Sequence, residues 1–95
     1  MGGFRLVVSP AAQRELERLH GPAFVAMRGV ILALALEPRP PTAGKIAGSA
    51  DVWRVRVRID GVPWRVIYQV DQAHRTIVVT RVARRDESTY RRLPR

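Results

Sequence analysis

Arginine supplies most of the reactive side chains in this chain of 95 residues. Seventeen Lys and Arg stand against eight Asp and Glu, a formal charge of +9, and Lys45 is the single lysine among them. The arginines are also ordered. Arg54, Arg56 and Arg58 alternate with apolar residues in Val52-Trp53-Arg54-Val55-Arg56-Val57-Arg58-Ile59. Arg65 follows Trp64, Arg81 leads to Arg84-Arg85, and Tyr90 precedes Arg91-Arg92. A guanidinium is a planar fork that matches phosphate oxygens and keeps its charge at any physiological pH. Such a set predicts attraction to a polyanion: nucleic acid, an anionic membrane or an acidic protein. The plainer alternative is a surface that merely keeps an Arg-rich protein soluble. Three arginines in register with no acid among them favour a phosphate-binding ridge, because solvated faces usually mix signs and like charges in a row oppose folding.

Other chemistries lack their residues. There is no cysteine, so disulfides, thiol catalysis and thiolate metal sites are excluded. His20 and His74 are too far apart in the chain to make a metal-ligand spacing. Paired carboxylates, a Gly-rich phosphate loop and a Ser/His/Asp arrangement are missing, and the acids are scattered over helices and turns. Neither a metal nor another cofactor is expected. The start, Met1-Gly2-Gly3-Phe4-Arg5, has no apolar signal run. The apolar stretch between Arg28 and Glu37 is far shorter than the roughly 18 residues that span a bilayer. A cytoplasmic protein without a membrane partner is the expectation.

The elements that must position the arginines can be read from spacing. One domain, residues 1–95, is expected at this length, with a modest core. Phe4–Val8 reads as a strand. Ser9-Pro10 supplies an N-cap and a first helical residue, and Ala12, Leu16 and Leu19 recur at helical spacing. That predicts a helix over Pro10–His20, with His20 at its C-terminus. After the Gly21-Pro22 corner a second helix runs to about Leu36. It is apolar on most sides, with Phe24 and Leu34 in the core, so heavy burial is expected. Pro38-Arg39-Pro40-Pro41 ends it, and a loop runs to about Asp51. Three strands follow, Val52–Ile59, Trp64–Val70 and Thr76–Ala83, separated by Asp60-Gly61 and by Asp71–Arg75. Alternation sends Trp53, Val55, Val57 and Ile59 to the core and Arg54, Arg56 and Arg58 to the opposite face. Arg65 joins that face if the turn pairs the two strands. The expected fold is α+β, in the order β-α-α-β-β-β: an N-terminal helical hairpin packed on an antiparallel sheet, with Asp86–Arg92 able to add a short C-terminal helix.

Three runs together, Val52-Trp53-Arg54-Val55-Arg56-Val57, Trp64-Arg65-Val66-Ile67-Tyr68-Gln69-Val70-Asp71 and Arg81-Val82-Ala83-Arg84-Arg85 through Tyr90-Arg91, resemble the RelE toxins of the RelE/ParE superfamily. The resemblance covers nearly the whole chain. It implies the toxin of a type II toxin–antitoxin system, an endonuclease that cuts messenger RNA in the ribosomal A site without a metal. The partners implied are a cognate antitoxin, the ribosome and messenger RNA. Residue by residue, it implies that Arg54 and Arg56 are the two basic positions of the strand that carries them. Arg65 stabilises charge on the phosphate, and Arg85 aids the transition state or the leaving group. Tyr90 stacks on a base or takes part in proton transfer, and Arg58, Arg81, Arg84 and Arg91 are further RNA contacts. Relatives often carry Lys at the positions of Arg54 and Arg56, or His at that of Arg84. An Arg there holds its proton, so Tyr90 is the only matched candidate for a general base. Two other functions share the same residues: a ParE-type poison of DNA gyrase, and a basic module that binds RNA or protein without chemistry.

Overall fold

Ser9 does what its place before Pro10 predicts. Its Oγ accepts a hydrogen bond from the Ala12 amide at 3.2 Å and caps the first helix, and it donates to the Thr80 carbonyl at 3.3 Å. One hydroxyl thus fixes a helix start to a strand 71 residues away. The structure, a computed structural model, describes residues 3–46, 48 and 51–84. Within them the order is β1 Arg5–Val8, α1 Pro10–Glu17, α2 Gly21–Leu36, β2 Ala43–Lys45, β3 Val52–Ile59, β4 Val62–Asp71 and β5 Thr76–Arg84. The α+β class and the helices on one side of a sheet are as expected.

Three details differ. The sheet has five strands among the described residues, ordered β1-β5-β4-β3-β2. The extra one is β2, in the stretch expected to be loop. Ala43-Gly44-Lys45 has no alternation to betray it, and it becomes a strand only by pairing with Trp53–Val55. The sheet is also mixed, since β1 runs parallel to β5 while the other pairs are antiparallel. Finally, α1 stops at Glu17, so His20 is the N-cap of α2 rather than the end of α1.

The antiparallel heart follows from its turns. Asp60 and Gly61 take φ of 51° and 78°, the pair of left-handed residues that a two-residue hairpin needs to match strand twist. Asp71 closes the next turn by accepting from the His74 amide at 3.1 Å and facing its Nδ1 at 2.9 Å. Val55, Val66, Tyr68, Ile77, Val79 and Val82 present a buried face to Leu16 of α1 and to Met27, Ile31 and Leu34 of α2. Trp53, Val57 and Trp64 are partly buried against it. The Tyr68 hydroxyl donates to the Pro38 carbonyl at 2.7 Å, and burial pushes its pKa up to about 12.

The second helix is less buried than its composition suggests. One stripe, Met27, Ile31 and Leu34, enters the core. Val25, Leu32 and Leu36 on another side are 66%, 47% and 81% exposed, and Phe24 lies at the edge at 37%. A lone helix against a sheet can bury only about one stripe, whatever its other sides carry.

The far end of the sheet is tied by Asp51, which itself takes φ 49°. Its carboxylate accepts from Trp53 Nε1 at 2.7 Å and from Arg39 Nη2 at 2.8 Å, while Arg39 lies 5.7 Å from the Trp53 ring centroid. The Trp53 hydrogen bond, then those of Arg39, hold the Asp51 carboxyl below its ordinary pKa against the opposing effect of burial.

Candidate nucleic-acid interface

Strand pairing decides which arginines meet. Residues opposite each other in a sheet share a face and bring their Cβ atoms to within about 5 Å. In the β3–β4 pair Arg56 is opposite Arg65, Arg54 is opposite Ile67 and Arg58 is opposite Pro63. All lie on the face turned away from the helices, because Val55, Val66 and Tyr68 fill the other. Arg54, Arg56, Arg58 and Arg65 therefore form one cluster, as the alternation predicted. Among the described residues no acidic residue stands between them in β3 and β4 or directly across from them in that register.

Each member has a different setting. Arg56 and Arg58 are exposed at the outer margin, and they line a hollow of about 180 Å³ together with Val57, Pro63 and Trp64, residues from both faces of the β3–β4 pair. Arg58 donates to the Gly61 carbonyl at 3.1 Å. Arg65 is 7% exposed, the sole charged residue among the buried described ones. Its neighbour on β5 is Ala83, whose small side chain leaves room beside it. A guanidinium this deep stays charged and can serve as a fixed positive centre in a site of low dielectric. Arg54 is half-buried. Its paired residue on the edge strand is Gly44, and a Cβ at Gly44 would stand 3.1 Å from one Nη, 3.2 Å from Cζ and 3.3 Å from the other Nη. The guanidinium lies across the place where another residue would carry a side chain.

A bulge in β5 settles the remaining arginines. Tyr68 is opposite Val79 but Ile67 is opposite Arg81, so Thr80 is one residue too many. The insertion shifts the alternation: Val79 and Val82, three apart, both face the core. Arg81 thereby joins Arg54 and Ile67 in one row on the arginine face. It is also held from the side, since Glu15 of α1 accepts from Arg81 Nε at 3.0 Å and from the Val82 amide at 2.6 Å, with an ion pair to Nη2 at 3.0 Å. Arg81 is thus a neutralised contact rather than the available cation the sequence suggested. Arg84 differs more. It is opposite Trp64 and so belongs to the helix face, exposed at the end of the sheet, outside the arginine cluster. Spacing could not show this, because one bulge reverses every later side chain. Arg85, Tyr90 and Arg91 lie outside the described residues.

The cluster can hold anionic oxygens and stabilise added negative charge. Guanidinium nitrogens repel a divalent cation, and the described residues contain no group of three or more His, Asp or Glu able to hold one. Among the described residues no His, Asp or Glu is paired across the strands with the four clustered arginines; Asp60 lies in the turn just beyond Arg58, and Asp71 and His74 are at the far end of β4. Glu15 and the bulge were both missed in the sequence. Only the acid at helical spacing from Ala12 could have hinted that α1 meets β5 with a carboxylate.

Comparison with known proteins gives a consistent picture. The family model described as "ParE toxin of type II toxin-antitoxin system, parDE" matches residues 6–89. Among solved structures, the chain is similar to the RelBE2 toxin–antitoxin complex of Mycobacterium tuberculosis, with a TM-score of 0.73 at 22% identity over 87% of this chain and 99% of that one. It is also similar to a free mutant form of the E. coli toxin RelE, TM-score 0.73 at 20% identity over 96% and 99% of the two chains. An archaeal RelE–RelB complex from Pyrococcus horikoshii matches with TM-score 0.70 at 22% identity over 90% and 98%. At these identities the likeness is one of fold. No curated protein sequence matches the chain.

Proposed function

Because the chain belongs to the ParE toxin family of type II toxin–antitoxin systems, within the RelE/ParE superfamily, we propose that it acts as a RelE-type endoribonuclease that cuts messenger RNA on the ribosome. One observation carries this reading: Arg56 opposite Arg65 with Arg54 and Arg58 beside them, a run of fixed positive charge with no acid paired to it across β3 and β4 among the described residues. The reaction needs no metal. The RNA 2′-oxygen attacks the adjacent phosphorus, the bond to the 5′-oxygen breaks, and a 2′,3′-cyclic phosphate and a 5′-hydroxyl result. The 2′-hydroxyl proton leaves to a base, and the departing 5′-oxygen gains one. Arg65, deep in the sheet, and Arg56, at its surface, bracket the phosphate and stabilise the charge that builds on its oxygens. Arg54 and Arg58 hold the flanking backbone. Arg85 and Tyr90 are proposed for the leaving group and for base stacking or proton transfer, and Arg91 for a further backbone contact.

A cognate antitoxin is the proposed protein partner, with an acidic or amphipathic segment over the arginine face. The solved relatives include toxins bound to the antitoxin RelB. Action on ribosomes would place the protein in the cytoplasm. Among the described residues no helix is long and apolar enough to cross a membrane.

The test is purified, antitoxin-free protein on programmed ribosomes in EDTA, with messenger 5′ ends mapped. Cuts within the A-site codon are expected, lost in Arg56→Ala and Arg85→Ala. No cuts on ribosomes that another RelE-type toxin cleaves would overturn the reading. Inhibition of DNA gyrase is then the function to accept. One observation favours that second reading: the clustered arginines cannot take a proton, and among the described residues no His, Asp or Glu is paired with them across the strands.

A further inference from the structure

β2 is an ordinary piece of edge strand. Ala43, Gly44 and Lys45 pair in unbroken register with Val55, Arg54 and Trp53, so no bulge calls for a glycine. Gly44 is not among the positive-φ glycines Gly21, Gly48 and Gly61, so its backbone does not call for one either. Glycine inside a strand weakens it, and such a residue usually marks a close approach of another group. Here the group is identifiable. A Cβ at position 44 would stand 3.1–3.3 Å from the Cζ and both Nη atoms of Arg54.

We infer that Gly44 is a positioning residue for Arg54: the missing side chain is the seat on which the Arg54 guanidinium rests. The inference depends on the RNA-cleavage reading only for its effect on activity. The seat draws Arg54 outward across the edge strand, so its charge is displaced from that of Arg56, two residues along the same face. A flexible arginine is thereby presented in one orientation before RNA arrives. With alanine at position 44 the guanidinium, as the free end of a long side chain, moves aside and the backbone does not. Gly44→Ala therefore leaves the fold intact and displaces the guanidinium from its seat by a few tenths of an ångström or more.

The experiment uses the full chain as wild type, Gly44→Ala, Arg54→Ala and the double variant. Four quantities are measured: messenger cleavage on programmed ribosomes, affinity for a short single-stranded RNA, Tm, and the ¹⁵N–¹H signal of Arg54 Nε. Gly44→Ala is expected to shift the Arg54 Nε signal, keep or raise Tm, and lower cleavage and RNA affinity by roughly tenfold, as misplacement of an oriented group does. In the Arg54→Ala background the same change is expected to have no effect. An unmoved Arg54 Nε signal overturns the inference whatever the activity. So does an equal loss with and without Arg54, which would mean that Gly44 acts on the fold. If Arg54→Ala itself leaves cleavage and RNA affinity unchanged, the catalytic reading of the face fails, and the shifted signal alone then upholds the positional part.

Discussion

Among the described carboxylates, Glu15 should be the one most sensitive to substitution. Its side chain is 19% exposed, and it ends at the bulge of β5, where it accepts from the Val82 amide at 2.6 Å and from Arg81 at 3.0 Å. Glu15→Ala strips a partly buried backbone N–H of its acceptor, a loss of about 1.5–3 kcal/mol for a bond to a charged group. It also breaks an ion pair that is one-third exposed on the Arg81 side, and solvent screening limits that part to about 0–1 kcal/mol. Together about 2–3 kcal/mol is expected, or roughly 10–20 °C in Tm for a domain this small. Glu15→Gln keeps a carbonyl oxygen for Val82 and should lose only about 1 kcal/mol. A second effect has the opposite sign. The Arg81 guanidinium, relieved of its counter-charge, becomes available to phosphate, so in low salt Glu15→Ala should bind single-stranded RNA more tightly, with a salt dependence steeper by about one ion. Urea melts and RNA titrations over a salt series read both. A Glu15→Ala variant within about 0.5 kcal/mol of wild type, the size of an ordinary surface change, would refute the clamp. Equal damage from Glu15→Gln would show that the charge matters there and not the acceptor.

Arg56→Ala should separate stability from function in the other direction. It removes a like charge placed opposite Arg65, so stability should rise by about 0.2–1 kcal/mol while RNA affinity falls and its salt slope drops by about one; a denaturant melt in which the variant is clearly weaker would contradict the repulsion. Asp51 gives a pH dependence. Its folded pKa is depressed, by Trp53 first and then Arg39, so its contribution is present above the unfolded value of about 3.9 and is lost as pH falls through the lower folded value. Melts from pH 6 down to 2 should show a loss in that acid window that Asp51→Asn largely removes, and an unchanged acid profile in Asp51→Asn would discount this carboxylate.

How much could be read in advance depended on how local the cause was. Ser9-Pro10, Asp60-Gly61 and the alternation of Val52–Ile59 act over a few residues, and each did in the fold what its chemistry requires. Arg65 was legible only on the condition that the turn paired the two strands; the Asp60-Gly61 hairpin does so, and the register that sets Arg65 opposite Arg56 comes from the structure. The failures are long-range. β2 exists because β3 offers an edge, β1 lies parallel to β5 across the whole chain, and α2 leaves Val25, Leu32 and Leu36 exposed because a sheet can cover only one stripe. The bulge at Thr80 cost most at the site. It put Arg81 on the arginine face, left Arg84 on the other, and set the partly buried Val82 amide where Glu15 accepts from it.

The arginine face also bears on why these residues are where they are. Opposing Arg56 with Arg65 costs stability, and placing Arg65 at 7% exposure costs more, because a guanidinium cannot shed its charge to escape burial. A sheet selected for folding alone would put Thr, Gln or Glu among them and gain from the cross-strand pairs. The neighbours are arranged to tolerate the charges instead: Ala83 is small beside Arg65, and Gly44 is bare beneath Arg54. A polyanion or an acidic segment laid over the face would offset the repulsion between Arg56 and Arg65. A nucleic-acid substrate and an antitoxin would then compete for the same charges, so occupancy of the face by one should exclude the other.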